Sequence, residues 1–243
     1  GARIATGLYP NPVHNTNFFA SLDHQVSTRD QFNIRYSLYD VHSSNSRGAG
    51  ALSAATASAG LDNTDHSIAA SNVFTISPHT FNETRAQFTQ SDLDALPSDP
   101  AGPAVSIAGV ASFGTLSGSP TGRFNRLYEV VDNLSHHIRA HSLRAGVDFL
   151  YNDLTIRFPR SVRGSYSFSS LANFLSGTYN NLGFAQTFGN TVVAQGNPNA
   201  GFYAQDEWKV TPRLTLNLGL RDDLQFLQTI ATDTNNVSPR AGF

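Results

Sequence analysis

The 243-residue chain is 40% hydrophobic and only 14% charged, has a net charge of −2 and an isoelectric point near 6.5, and contains neither cysteine nor methionine. Disulfides, thiolate metal sites and cysteine nucleophiles are thereby excluded, and the 16 Lys and Arg residues, scattered singly, form no basic field of the kind nucleic acid requires. A mean hydropathy of −0.25, with no apolar run near the roughly 18 residues of a spanning helix, excludes a helical membrane protein but not a membrane β-barrel, whose strands point half their residues into a polar lumen.

In chain order, 17–27 alternates Phe18, Ala20, Leu22, His24 and Val26 against Phe19, Ser21, Asp23 and Gln25, which predicts a strand with one apolar face. The polar turn Ser27-Thr28-Arg29-Asp30 leads to a second strand, with Phe32, Ile34, Tyr36 and Leu38 on one side and Gln31, Asn33, Arg35 and Ser37 on the other. His42 to Asn63 is rich in Ser, Ala and Gly without periodicity and reads as a flexible loop. A second, more weakly alternating hairpin runs from about Thr64 to Ser91 around Ser77-Pro78-His79-Thr80. Leu93 to Gly122, broken by Pro97, Pro100, Pro103 and Pro120, reads as a long loop in which Val105 to Val110 forms a short strand.

A third hairpin places Phe124, Tyr128, Val130 and Leu134, then Leu143, Ala145, Val147, Phe149 and Tyr151, on one face about a turn near Ile138-Arg139-Ala140. Arg157 to Gly183 is a third long loop, and within it Ser169 to Gly177 carries a Ser cap, helical apolar spacing and a terminal Gly, the signature of a short helix. A strand at Phe184 to Ala194 and a turn at Gln195 to Ala200 precede the clearest hairpin, GFYAQDEWKVTPRLTLNLGL at 201–220, where Leu214, Leu216, Leu218 and Leu220 alternate with polar or small residues. Gln228 to Val237 is a last polar loop.

The hairpins that start at Asp23, Asp132 and Asp206 share one frame, so short turns gather at one end of the sheet and long loops at the other. With strands above the 9 to 11 residues that cross a bilayer when tilted, the pattern predicts an all-β, antiparallel, up-and-down transmembrane β-barrel segment of about ten strands, with short periplasmic turns, long extracellular loops and one short loop helix. Tyr36, Tyr39, Phe149, Tyr151, Phe202, Tyr203 and Trp208 fall toward strand ends, where interfacial girdles belong. Asp132 and Asp206 break the pattern by falling on the apolar register; a bulge that turns them inward, or an interfacial position, is the expected remedy.

The stretch GFYAQDEWKVTPRLTLNLGLR and the closing SPRAGF, with LDHQVSTRDQFNIRYSLYD at 22–40, LRAGVDF at 143–149 and FSSLANFLSG at 168–177, resemble the barrel of TonB-dependent outer-membrane receptors, in particular the Oar-like group. That resemblance implies a location in the bacterial outer membrane and a whole barrel of roughly 22 or more strands around a plug. On this reading 1–243 is a partial barrel domain, an internal stretch of a larger receptor without the plug. The absence of Met and of a leader segment accords with this expectation. The implied partners are outer-membrane lipid, the TonB energy-transducing system through the plug, and a solute or larger cargo of unspecified identity.

His136, His137 and His141 form the densest metal-like group, but they flank a β-turn and not a helix, so solvated or interfacial histidines are expected in place of a metal site. No nucleophile elbow, zinc-protease or phosphate-loop sequence is present, and neither enzymatic activity nor a cofactor is expected. Gly146 and Gly219 are read as lumen-facing glycines that permit close packing. Tyr166, Phe168 and Tyr179, with Phe174, are the candidate ligand contacts in the third loop, against a role in packing that loop. The expected function is therefore the barrel wall of a receptor importing a scarce solute; the alternatives are a small closed barrel of about ten strands acting as pore, adhesin or hydrolase, and a secreted β-sandwich whose apolar faces meet in a dry core.

Overall fold

The structure, a computed structural model, describes residues 4, 6–48, 50–179, 183–227, 231–232 and 234–243; residues 228–230 and 233 of the expected last loop lie outside them. Its elements are β1 (Val13–Ser27), β2 (Asp30–Arg47), β3 (Ala59–Ser77), β4 (Thr80–Ala95), β5 (Ala104–Ile107), β6 (Ala111–Gly114), β7 (Thr121–Ile138), β8 (His141–Arg157), β9 (Ser165–Phe168), α1 (Leu171–Leu175), β10 (Phe184–Ala185), β11 (Val192–Thr211), β12 (Leu214–Gln225) and β13 (Ser238–Gly242). Nine of them form one antiparallel sheet in the order β1-β2-β3-β4-β7-β8-β11-β12-β13, so each wall strand pairs with the next along the chain. Among the described residues β1 and β13 each pair on one side only, which makes the wall an open arc; the closed ten-strand barrel is not what this chain forms.

The strands are long because both faces are in use. From β1 to β12 the wall strands run 12 to 20 residues, well above the five or six typical of soluble domains. Their apolar register, which includes Leu22, Val130, Phe149, Phe202 and Leu220, is about half exposed. The buried apolar residues are instead mostly small and lie toward the loop end: Val41, Ala54, Ala57, Ala59, Ala95, Ile107, Ala111 and Phe168. A folded soluble monomer of 26.2 kDa exposes roughly 10,600 Å² by surface scaling, whereas this chain exposes 15206 Å². The β-sandwich alternative fails on this point, since the apolar faces form an exposed band rather than a dry core.

The four tight turns, at Thr28-Arg29, Pro78-His79, Arg139-Ala140 and Pro212-Arg213, fall where the sequence places them and lie at one end of the wall. Backbone bonds tie neighbouring hairpins there: Thr75 N–H donates to Arg29 O at 2.7 Å, His137 N–H to His79 O at 2.8 Å and Lys209 N–H to Ala140 O at 2.8 Å. At the other end β5, β6, β9 and β10 make a four-stranded sheet, with β5 and β9 parallel, out of two different loops. Leu52 and Ala54 bond to Ser112 on β6, so three loops interlock into a cap.

Several expectations require correction. The Ser/Ala/Gly run at 42–63 is not a flexible loop: β2 continues to Arg47, β3 begins at Ala59, and Ser43, Ser58 and Ala59 are almost fully buried because small side chains let the strands and turns approach closely. The turn at 195–200 is absent and 184–194 is not a separate wall strand, so the arc holds nine strands; β11 runs through Pro198, whose carbonyl accepts from Phe226 N–H at 3.0 Å beyond the last β12 rung, so no rung to β8 loses its donor. Tyr39 and Tyr203 share the inward register of Arg35 and Arg221, leaving the girdle to Phe18 and Tyr36 (ring centroids 6.0 Å apart) and to Phe88, Tyr128 and Tyr151 (5.0 and 6.3 Å), with Trp208 near the turn end.

The two anomalous carboxylates separate. The ladder around Asp132 has no bulge, and Asp132 stays on the outward register midway between Tyr128 and the Arg139 turn, contrary to the inward or interfacial placement expected. Its remedy is lateral: Asn82 Nδ2 donates to Oδ1 at 2.9 Å and Thr84 Oγ1 to Oδ2 at 2.5 Å, so both oxygens are satisfied by the adjacent strand. Asp206 is interfacial as expected, beside the turn end, where His141 Nδ1–H donates to Oδ2 at 2.6 Å and the His141 ring stacks on Trp208 at 5.3 Å.

Gly146 shows why a strand glycine is required. The Tyr203 ring lies across it, and Tyr203 O–H donates to Asn133 Oδ1 at 2.6 Å; a Cβ on Gly146 would collide with that ring and sit 2.5 Å from Asn133 Oδ1 and 2.8 Å from Asp132 O. Gly146→Ala is therefore expected to destabilise the barrel by about 1–3 kcal/mol. The cost should shrink sharply in a Tyr203→Ala background, as read by thermal unfolding of the full-length protein in detergent; equal costs in the two backgrounds would contradict the packing assignment.

Candidate functional site

Alternation leaves the inward face of β2 to β12 charged. Arg35, Glu83, Arg85, Glu129, Arg144, Asp148, Tyr203 and Arg221 line a hollow of about 680 Å³ along the concave side. Charges of both signs alternate along this face: Arg85 Nε lies 3.7 Å from Glu83 on the same strand, and Val131 separates Arg85 from Asp148 along one rung. Arg221 lies over Gly201, forms a two-oxygen contact from Nε to Asp223 (2.9 Å to each) and reaches Asp148 at 3.7 Å. With Gly201 offering no side chain, the guanidinium lies flat along the wall. Such a surface holds water and polar groups and rejects lipid. The polar registers of the sequence contain these residues, but each strand alone reveals only alternation; the pairing across β4, β7, β8, β11 and β12 is what assembles them.

At the loop end the three candidate aromatics do come together. Ring centroids of Tyr166 and Tyr179 lie 5.7 Å apart, those of Tyr166 and Phe168 6.4 Å, and those of Phe168 and Tyr179 6.5 Å. Phe184 joins at 4.8 Å from Tyr166, while Phe174 on α1 meets Phe168 edge-on at 5.2 Å and Phe113 at 5.8 Å. α1 forms where the sequence predicts it, with Ser170 Oγ accepting from Asn173 N–H at 3.1 Å and Gly177 ending it at φ +67. Phe168 is buried, so its ring is the centre of this cluster; Tyr179 is half exposed. Phe113 and Phe184 escaped sequence analysis because they come from other segments of loop, with no shared periodicity.

The histidines do not converge. His136 pairs with Thr80 at 2.8 Å and His141 with Asp206 on the outward face, whereas His137 pairs with Ser142 at 3.0 Å on the inward face. No cluster able to hold a metal occurs among the described residues.

Phe168→Ala removes the centre of the loop cluster and is expected to cost about 3–5 kcal/mol locally. Hydrogen exchange should accelerate at β5 and β9 amides while those of β8 and β11 stay protected; unchanged exchange in β5 would show that the cluster does not hold the cap together.

No curated protein sequence matches the chain. Among solved structures, the outer membrane transporter YddB from Escherichia coli is similar over 95% of this chain and 29% of its own, with 13% identity and a TM-score of 0.64. FpvA of P. aeruginosa, solved as a ferric complex with a heterologous pyoverdine, is similar over 94% of this chain and 33% of its own, with 10% identity and a TM-score of 0.64. The chain thus spans about a third of the length of these structures and shares their wall fold. The family model for the outer membrane beta barrel domain matches residues 5–242, and the chain, with its open antiparallel wall, exposed apolar face and charged inner face, belongs to that family of the bacterial outer membrane.

Proposed function

We propose that the chain is one arc of the wall of a TonB-dependent receptor that takes up a scarce solute across the outer membrane, with a plug domain supplied by another part of the protein. The observation that carries this reading is the charged hollow from Arg35 to Arg221, continuous across seven strands of an arc that by its edges calls for further strands. Wall strands of this length, tight turns at one end and an interlocked loop cap at the other support placing the turns in the periplasm and the cap outside the cell.

In this arrangement the inner charges hold the plug and a hydrated path, and solute first meets the cap, where Tyr179 and the edge of Tyr166 offer aromatic surface and Phe168 fixes their position. The wall performs no chemistry on the solute; energy reaches it through a coupling between plug and inner membrane. Similarity to the transporter YddB and to FpvA supports this assignment at the level of fold.

The test is solute depletion from the medium, followed by mass spectrometry, in cells with the full-length receptor, without it, and with it but without TonB. At least one solute should be depleted only when both receptor and TonB are present. Depletion indifferent to TonB would refute the energy-coupled reading, and an identical profile in all three strains would refute uptake altogether.

A further inference from the structure

On the watery face two aromatic rings stand without partners. Phe19 on β1 and Tyr39 on β2 lie in adjacent inward rows, opposite Ser37 and Asn17 respectively, and are 66% and 41% exposed. On the other face their neighbours Phe18 and Tyr36 meet each other in the girdle, whereas among the described residues Phe19 and Tyr39 meet no other ring. Apolar rings grouped on an aqueous wall mark a contact surface.

The surroundings of the two rings are polar but scarcely charged. β3 adds Ser67 and Asp65 to the two rows, and these six residues, with the intervening Phe18 and Leu38, line a depression of about 290 Å³, near the lower limit of ligand pockets. Across β4, β7, β8 and β11 the same rows hold only hydroxyl, amide and leucine side chains, so Asp65 is their one charge among the described residues. Its Oδ2 accepts from Asn63 Nδ2 at 3.0 Å and its Oδ1 is enclosed, so the carboxylate is already engaged. Charge resumes one row away on either side, with Arg35 and Glu129 toward the turns and Arg123 toward the cap. None of these three lines the depression.

We infer that this belt binds the cargo of the proposed receptor and that the cargo is an uncharged polyhydroxylated chain, an oligosaccharide. The C–H face of a sugar ring stacks on Phe19 or Tyr39, while its hydroxyls bond to Ser37, Ser67 and Asn17. Ser67 O–H and Asn17 Oδ1 are unused, since Ser67 Oγ only accepts, from Thr89, and Asn17 Nδ2 only donates, to Asn15. An anionic solute finds no cation in these rows, a cationic one finds only an engaged carboxylate, and a purely apolar one leaves the amides and hydroxyls unpaired. The inference names a solute class for the uptake reading and rests on that reading.

Full-length receptor in a sugar-free detergent is titrated calorimetrically with neutral hexasaccharides of glucose, xylose, mannose and galactose. Hexamers of galacturonate and glucosamine, at a mildly acidic pH where glucosamine is protonated, serve as anionic and cationic counterparts. At least one neutral hexamer should bind about tenfold tighter than both charged ones. Phe19→Leu and Tyr39→Leu, which keep apolar bulk and lose the ring, should each weaken binding about tenfold, whereas Phe19→Trp and the outward Phe18→Leu should leave it unchanged. Each variant is first checked for the heat-sensitive electrophoretic migration of a folded barrel. Binding of no neutral hexamer, equal or tighter binding of a charged one, or undiminished binding by Phe19→Leu and Tyr39→Leu overturns the inference; the last result is the one expected if the rings only seat the plug. Selective hexamer binding that depends on both rings, in a receptor whose cells deplete no sugar, counts against the uptake reading alone.

Discussion

Everything in this molecule depends on one unbroken antiparallel hydrogen-bond ladder. In hydrocarbon an unpaired peptide group has no water to turn to, so a strand can cross only if its neighbours on both sides satisfy it. From β2 to β11 they do over the rows these strands share, β12 meets β13 at 217–221, and the register shifts in the ladders that join these strands fall beside turns or at the loop end, at 75–77, 209–211 and 43–47. Because successive side chains point to opposite faces, an uninterrupted register carries the alternation of each strand across the whole arc. The apolar outside and the charged inside are consequences of that register and not of separate folding events.

The exceptions are handled locally and each by a different device. Asp132 cannot be turned inward without breaking two ladders, so the next strand supplies Asn82 and Thr84 and both carboxylate oxygens are hydrogen-bonded sideways. Asp206 lies low enough to use the interface, with His141 and Trp208. The hole left by Gly146 is covered by the Tyr203 ring, as aromatic residues cover glycine in other sheets. Pro198 sits where one side of β11 no longer has a rung to lose. Stability thus comes from the ladder and from lipid outside, while among the described residues the well-buried side chains gather mostly at the cap.

The wall was legible in the residues because alternation has a period of two and the turns carry their own signals: Leu214 to Leu220, Leu143 to Phe149 and the turn at Pro212 could each be placed, and their shared frame sets both ends of the sheet. The cap was legible only in part, in α1 and the aromatics of its loop. Residues 42–63 look like linker because Ser, Ala and Gly have no periodicity, yet their small size is what allows Ala59 and Ser58 to be buried, and that depends on partners far along the chain. The 195–200 stretch misleads in the same way, since Gly196, Asn197 and Pro198 are turn formers that pairing with β8 holds extended. The candidate aromatics Tyr166, Phe168 and Tyr179 were found, but their partners Phe113 and Phe184 become neighbours only through the parallel pairing of β5 with β9 and the pairing of β10 with β9.

The central claim is that one register divides a lipid face from an aqueous face across the arc. Because the chain has no native cysteine, it can be examined one position at a time along β8, from Leu143→Cys to Phe149→Cys, in full-length protein in outer-membrane vesicles. With Gly146 left unchanged, labelling by a membrane-impermeant thiol reagent after permeabilisation should be strong at 144 and 148 and weak at 143, 145, 147 and 149, with the reverse order for quenching of an attached fluorophore by a lipid-borne quencher. Uniform labelling along the strand, or alternation of the opposite phase, would contradict the account.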